Sequence, residues 1–376
     1  MNREMDLNTK KSRELLKNFD FFLFGIILLT AVFGIVMISS AGGENAGRYV
    51  LVQMVSLVLG IAGIAVLMIV DYEYLAKIWL YLYITSVILL ILVLIPGIGS
   101  WENGARSWFR FGKLIGIQPA EIVKLAFIVT FARHLASVED QLNRPRNIAL
   151  LILHMAILVG LILLQPDVGT AAVFFCIFAA MLFVAKISWK YIVGGIGAIA
   201  VAFPIVWFFF LQDYQKNRII NVFNPENDPT NSGYHVIQSN IAAGSGRIFG
   251  SILYQCTSQF NNFLLERHTD FIYSVICEEL GIIGAIAVIV LLVIIIARCL
   301  YIAKNARNSL GTYICTGVAA MLIFQSFENI GMCIGIMPVT GITLPFFSYG
   351  GSSILTTMLA MGLVLNVQYR HKVINF

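Results

Sequence analysis

Long apolar runs separated by short polar breaks dominate the chain. Ten of them, at residues 20–40, 50–70, 77–96, 118–137, 147–164, 168–185, 190–211, 274–300, 311–332 and 352–369, approach the roughly 20 mostly apolar residues that a membrane-spanning helix requires. The first is too long for the core of a signal peptide. Although Ser39-Ser40-Ala41 mimics a cleavage site, the helix is expected to stay. The pattern predicts an all-α polytopic membrane protein with ten transmembrane helices. No internal repeat, low-complexity tract or separate soluble domain interrupts it, so residues 1–376 read as one membrane domain that begins with a cytoplasmic segment over 1–19.

Composition agrees. Of the 376 residues, 59% are apolar and only 12% charged, about half the charged share of an ordinary globular protein. Mean hydropathy is +0.85. So few charges cannot cover a water-soluble surface, and the same figures exclude a disordered chain, a collagen and a disulfide scaffold. The net charge of +5 is small and reads as topology rather than as a nucleic-acid footprint. Sixteen of the 25 Lys and Arg residues fall on the side of the N-terminus, eight on the other, and Lys124 lies within a span. That bias predicts that both termini are cytoplasmic. The six cysteines form no CxxC and have no histidine at metal-ligand spacing, so they read as small apolar fillers. Only Cys256 and Cys277 fall where an oxidising exterior would matter.

The outer loops are then the unusual ones. Residues 97–117 are dense in Gly, Trp and Arg; residues 212–273 form a much longer loop without obvious helices; residues 333–351 carry Pro338, Pro345 and Gly350-Gly351. Loops this long tend to be functional. The third has aromatic and apolar residues at membrane depth and is a candidate to re-enter the bilayer.

Ionisable groups inside a span normally face a cavity or a partner. Glu121 and Lys124, three residues apart, share a helix face near the outer surface. They are either an internal ion pair or part of a site. Asp167 is either a helix cap or a carboxylate facing an outer cavity. Gln325, Glu328 and Asn329 share a face of the ninth span and are expected to hydrogen-bond between helices. Around Trp101–Arg110, rings alternate with guanidinium groups, which suits either an interfacial belt or a diphosphate beside a sugar or lipid. Asp270, Ser274 and Glu278 would share a helical face. A lone carboxylate there, beside Arg267 and His268 at the water–lipid boundary, is either a helix cap or a candidate general base. A base of this kind should sit at the mouth of an open cleft, because dry burial would raise its pKa too far.

Eight strings in order carry a family resemblance. They are Gly104-Ala105-Arg106-Ser107-Trp108, Gln118-Pro119-Ala120-Glu121 with Lys124, Gln165-Pro166-Asp167-Val168-Gly169-Thr170, Tyr214-Gln215-Lys216-Asn217-Arg218-Ile219, Asn224-Pro225-Glu226, Gly233-Tyr234-His235-Val236-Ile237-Gln238-Ser239, Glu266-Arg267-His268-Thr269-Asp270-Phe271 and Leu344-Pro345-Phe346-Phe347-Ser348-Tyr349-Gly350-Gly351-Ser352. Over nearly its whole length the chain resembles the SEDS proteins (shape, elongation, division and sporulation), the group of RodA, FtsW and SpoVE. Residues 214–225 and Pro338-Val339-Thr340-Gly341 are more similar to the RodA branch. Ala120 stands where Ser is usual, Leu265 where Pro is usual, and Arg247 interrupts a commonly Gly-rich run that also differs over 252–256.

The resemblance implies a ten-span glycosyltransferase on the outer face of the bacterial plasma membrane. It would polymerise lipid II through a β-1,4 link, release undecaprenyl diphosphate and work beside a class B penicillin-binding protein in wall elongation and cell shape. Asp270 is carried over as the catalytic residue. Glu121, Lys124 and Asp167 are carried over as lining the family's polar cavity, and Arg106, Trp108, Arg110, Arg218, Gln238, Ser239, His268, Thr269 and Ser348 are further substrate-binding candidates. Lys124, Arg106, Arg110 and Arg218 are candidates to meet the departing diphosphate, with a divalent cation (Mg or Mn) as a further candidate and no metal ligands assigned. The alternatives are a lipid II flippase that uses Glu121, Lys124 and Asp167 as a charge relay, and a non-catalytic scaffold for the penicillin-binding protein.

Overall fold

The computed structural model describes residues 19–102, 105–111, 115–209, 211–227, 232–251, 264 and 266–372. The N-terminal segment up to residue 18, Gly104, Lys113, residues 252–256 with Cys256, and Leu265 lie outside the described residues. A helix occurs at each of the ten apolar runs: α1 (Phe21–Ala41), α2 (Ala46–Ile69), α4 (Trp79–Leu94), α5 (Pro119–Ser137), α6 (Pro145–Leu163), α7 (Val168–Val184), α8 (Trp189–Phe209), α11 (Ile272–Lys304), α12 (Ser309–Cys333) and α13 (Gly351–Lys372). Short α3 (Tyr72–Lys77) precedes α4. Among the described residues, seven helices are long and apolar enough to cross a membrane. Those at 79–94 and 168–184 are apolar but shorter, and α5 carries Glu121, Lys124 and Arg133.

Local chemistry sets the helix ends. Asp20 caps α1 by accepting from Leu23 N at 3.0 Å, and its other oxygen meets Arg298 Nε at 2.9 Å, which ties α1 to α11. Pro occupies the first turn of α5 and of α6, where its missing N–H costs nothing. Asn308 caps α12 through Gly311 N at 2.9 Å and donates to Glu73 at 2.8 Å, so one amide starts a helix and fastens α3 to it. At the same end, Asn366 of α13 donates to the Leu67 and Val70 carbonyls of α2. α13 lies along α2, and α12 runs through the middle against α5, α7 and α11. Among the described spans, α8 stands apart and buries none of its residues.

Two outer loops are more regular than expected. Residues 97–117 hold a three-stranded antiparallel sheet, β1 (Gly99–Glu102), β2 (Ala105–Phe111) and β3 (Ile115–Ile117), in the order β1-β2-β3. Ser100 pairs with Trp108, a bulge follows, and Phe109 pairs with Ile117. The all-α expectation therefore needs this small sheet added. Its signal is the aromatic run at 108–111 after Asn103-Gly104, a strong two-residue hairpin turn. The long loop also holds two helices among its described residues. α9 (Asp213–Phe223) opens on a capping box between Gln212 and Gln215, and α10 (Ser232–Ser245) packs on α11.

The third loop does fold inward. Leu344, Phe346 and Phe347 are buried, and the Phe347 ring meets Phe33 of α1 edge-on at 5.4 Å. Gly34 makes this approach possible, because a Cβ there would lie 2.2 Å from the Phe346 carbonyl oxygen and 2.9 Å from Phe347 Cα. Gly34→Val should therefore cost about 1–3 kcal/mol by overpacking. Gly25→Ala, whose added Cβ meets nothing within 4 Å, should stay within about 0.5 kcal/mol of the parent. Thermal unfolding of the purified protein in detergent, followed by loss of the monodisperse chromatographic peak, compares the two; equal shifts would contradict this packing.

Candidate active site

The segment Glu266–Phe271 is a tight turn whose last residue caps α11. The chain wraps it so that three consecutive carbonyls each accept a hydrogen bond from elsewhere. His268 O accepts from Tyr349 N at 2.9 Å, Thr269 O from Ser348 Oγ at 2.6 Å, and Asp270 O from Asn329 Nδ2 at 2.9 Å. Ser348 Oγ also accepts from Leu344 N at 2.8 Å, so its hydroxyl is occupied in holding the turn. Gln53 of α2 supports the same loop: its Nε2 donates to Ser348 O and its Oε1 accepts from Gly350 N, both at 3.2 Å.

The Asp270 side chain is partly buried. Burial, aided by the Glu266 carboxylate and opposed by the Arg218 guanidinium, lifts its carboxyl to about 7. With a pKa there, about half of such groups carry their charge at neutral pH. The Arg267 and His268 of the same motif are engaged with the helix ends behind the turn. Arg267 Nε donates to Ala41 O at 2.7 Å, and the His268 ring stacks on Tyr49 with centroids 4.3 Å apart and planes 9° from parallel. Burial lowers the pKa of His268, which keeps the ring neutral. Tyr349 lies against both rings, and Arg48 and Arg110 are close enough for their charges to act on its hydroxyl.

A second polar group lies across the bundle. Lys124 Nζ and Glu121 Oε1 are 2.7 Å apart and buried. Asp167 caps α7, accepting from Thr170 N at 2.9 Å and Thr170 Oγ1 at 2.8 Å, and Gln118 Nε2 donates to it at 3.2 Å. The charges of Lys124 and Glu121 reach Asp167. The cap reading of Asp167 is thus realised, with the Glu121–Lys124 pair in electrostatic range. The turn Thr340-Gly341-Ile342 stands between this cluster and Asp270. A Cβ on Gly169 would meet Thr340 Cβ at 3.1 Å, and one on Gly341 would meet Asp270 Oδ2 at 3.5 Å. Thr340 Oγ1 donates to Glu328 at 2.8 Å. Glu328 and Asn329, expected to bond between helices, instead hold loops.

The remaining candidates spread around this centre. Arg106 donates to Leu94 O at 3.1 Å and lies over the Trp101 ring; Trp108 is half-buried against Gly116, and Arg110 is exposed on β2. Ser239 is buried, shares a 2.6 Å hydrogen bond with Ser274 and donates to Cys333 O at 2.8 Å; Gln238 beside it is half-buried. Sequence reasoning missed Gln53, Tyr49 and the positioning part of Asn329. A lone Gln in an apolar run is the one local signal for Gln53. Among the described residues no three His, Cys, Asp or Glu side chains gather, so the donor set does not fit a resident divalent cation.

Residues 20–373 match the FtsW/RodA/SpoVE family of cell cycle proteins. A probable peptidoglycan glycosyltransferase FtsW of Geobacter metallireducens is 35% identical over 98% of this chain and 99% of its own. The peptidoglycan glycosyltransferase MrdB of Escherichia coli is 36% identical over 93% of each. A solved chain from a peptidoglycan synthase complex that coordinates polymerization and crosslinking superposes with a TM-score of 0.82 at 32% identity, covering 95% of this chain and 99% of that one. The Thermus thermophilus rod shape determining protein RodA gives 0.71 at 30% identity, covering 95% and 98%.

The Lys124–Glu121 pair has a measurable signature. Removing one member of a buried pair strands the other charge at a cost of about 3–5 kcal/mol, whereas replacing both is close to neutral. Lys124→Met should therefore lower the unfolding temperature sharply, and Glu121→Gln combined with Lys124→Met should restore most of it. Additive losses in a detergent melting series would show that the two residues do not act as a pair.

Proposed function

The chain belongs to the FtsW/RodA/SpoVE family, and we propose that it is a peptidoglycan glycosyltransferase that joins lipid-linked disaccharides on the outer face of the bacterial plasma membrane, with Asp270 as general base. The observation that carries this reading is a carboxylate at about 7 on a turn whose main chain is tied down at three successive carbonyls, with an Arg guanidinium in range. A base with a pKa near the working pH combines an ionised population with enough proton affinity to use it.

In this mechanism Asp270 takes the proton of the acceptor GlcNAc 4-hydroxyl. The oxygen attacks C1 of the donor MurNAc from the face opposite its diphosphate, the C1–O bond breaks, and a β-1,4 link forms with inversion. Undecaprenyl diphosphate leaves with the electron pair and the negative charge. Arg218, whose charge acts on Asp270, and Arg110, whose charge acts on Tyr349, join Lys124 and Arg106 as the cations that can meet that charge. The Tyr49–His268–Tyr349 rings beside the turn offer an aromatic face for a sugar.

Ten spans with both termini in the cytoplasm put Asp270, the sheet and the long loop together on the outer side, as the Lys and Arg bias requires. The lipid-linked substrate fits that placement. A class B penicillin-binding protein is the expected partner, supported by the likeness to a chain of a polymerizing and crosslinking complex. The apolar groove of about 520 Å³ between α11 and α12, lined by Leu292, Ile296, Phe327 and Ile330, suits a partner's membrane helix. The RodA-like segments favour a role in wall elongation and cell shape.

The test is polymerisation of lipid II by the purified protein, alone and with its partner. Asp270→Asn should reach the membrane in normal amount and make no glycan. Because only the ionised carboxylate accepts the proton, the parent rate should rise with pH and reach half its plateau near pH 7. Undiminished polymer from Asp270→Asn would remove this residue from the role, and movement of lipid II across vesicles without polymer would favour transport.

A further inference from the structure

We propose that Asn329 is a positioning residue for the transfer reaction, acting as a two-donor clamp that fixes Asp270 over the Gly341 turn. The inference rests on Asp270 being the general base. Asn329 is fully buried one turn before the end of α12. Its Nδ2 donates to Asp270 O at 2.9 Å and to Ile342 O at 2.7 Å, and its Oδ1 lies 3.9 Å from the Cys333 thiol. One amide nitrogen thus spends both hydrogens on two separate pieces of chain, the acidic turn and the inward-folded loop.

The geometry gives this junction a consequence for chemistry. Gly341, at φ +76°, sits directly under the Asp270 carboxylate, with Oδ2 3.5 Å from the place its Cβ would take. Asn329 therefore determines how far the carboxylate stands from the loop that separates it from the Glu121, Lys124 and Asp167 cluster. The clamp itself is anchored. The Cys333 thiol also reaches Asp270 O at 3.6 Å, and Cys333 O accepts from Ser239 at 2.8 Å and Ser274 at 3.4 Å. The last turn of α12 is thereby fixed to α10 and α11. No other uncharged side chain of this size fills the role: a hydroxyl has one hydrogen to give, a carboxylate none, and alanine would take the amide donor from Ile342 O and leave Asp270 O only the weak Cys333 thiol.

Two features separate positioning from mere support. Asn329 touches no surface a substrate can reach, so its loss should lower kcat and leave KM nearly unchanged. Misplacing a reacting group by about 1 Å costs on the order of 100-fold in rate. The acid limb of the pH profile should also move. Glu266 and Arg218 are the charged groups that act on the carboxyl, and Cys333 is the thiol beside its carbonyl. None of these changes in Asn329→Ala, so a looser, wetter turn would let the limb slide to lower pH.

The experiment measures lipid II polymerisation by purified parent, Asn329→Ala, Asn329→Ser and Asp270→Asn proteins, reading kcat, KM and the pH profile. Serine keeps one donor and carries the same readout should the alanine protein fail to accumulate. The expected result is a 10- to 100-fold lower kcat for alanine, a smaller loss for serine, KM within about twofold, and an acid limb shifted below the parent's. A parental kcat, or a lower rate that tracks only the amount of folded protein with the acid limb unmoved, would overturn the proposal. An active Asp270→Asn would instead overturn the assignment of the base, and so the two failures are distinguishable.

Discussion

Everything at the candidate site depends on who satisfies the backbone of one turn. The Glu266–Phe271 turn lies outside regular secondary structure, so no ladder satisfies the carbonyls of its main chain. Its carbonyls still need donors. Here His268, Thr269 and Asp270 find theirs in Tyr349 N, Ser348 Oγ and Asn329 Nδ2, all contributed by α12 or the loop that follows it. The turn is rigid because its hydrogen bonds come from the inward-folded loop, and that loop is rigid because Gln53, Asn329 and the close pass at Gly34 hold it in the bundle.

The same rule explains the polar groups inside the helices. Glu121 has Lys124, Glu328 has Thr340, and Asp167 has two donors of Thr170 and one of Gln118. In lipid an unpaired group of this kind costs far more than at a wet surface, and a pair that is satisfied imposes an arrangement on the helices carrying it. The Thr340–Ile342 turn lies between these groups and Asp270, with Gly169 of α7 close against Thr340 and Gly341 close against the Asp270 carboxylate.

Electrostatics at that region are balanced rather than extreme. Asp270 is lifted by burial and by Glu266 but restrained by Arg218. Complete desolvation without the arginine would leave a carboxylic acid unable to take a proton, and full exposure would leave a carboxylate too weak to want one. A partly buried carboxyl with both an acidic and a basic neighbour is the physical compromise.

Local chemistry made much of this readable from the chain alone. Apolar runs of spanning length located ten of the described helices, since lipid and a close-packed interior both select on the side chains of a single segment. The spacing of Glu121 and Lys124 revealed their shared face, because a helix places residues three apart together whatever surrounds it. The string around Asp270 was visible as an unusual acid at a boundary. The paired strands at 99–117 had a local signal in Asn103-Gly104 that was passed over. What the chain could not reveal alone was where Asn329, Gln53 and Ser348 would spend their hydrogen bonds. Their partners lie 59, 295 and 79 positions away in sequence, and no periodicity reports a contact of that length. Only the packing of α2, α12 and the inward loop around one turn decides it, since a buried donor bonds to whatever carbonyl the tertiary fold brings within 3 Å.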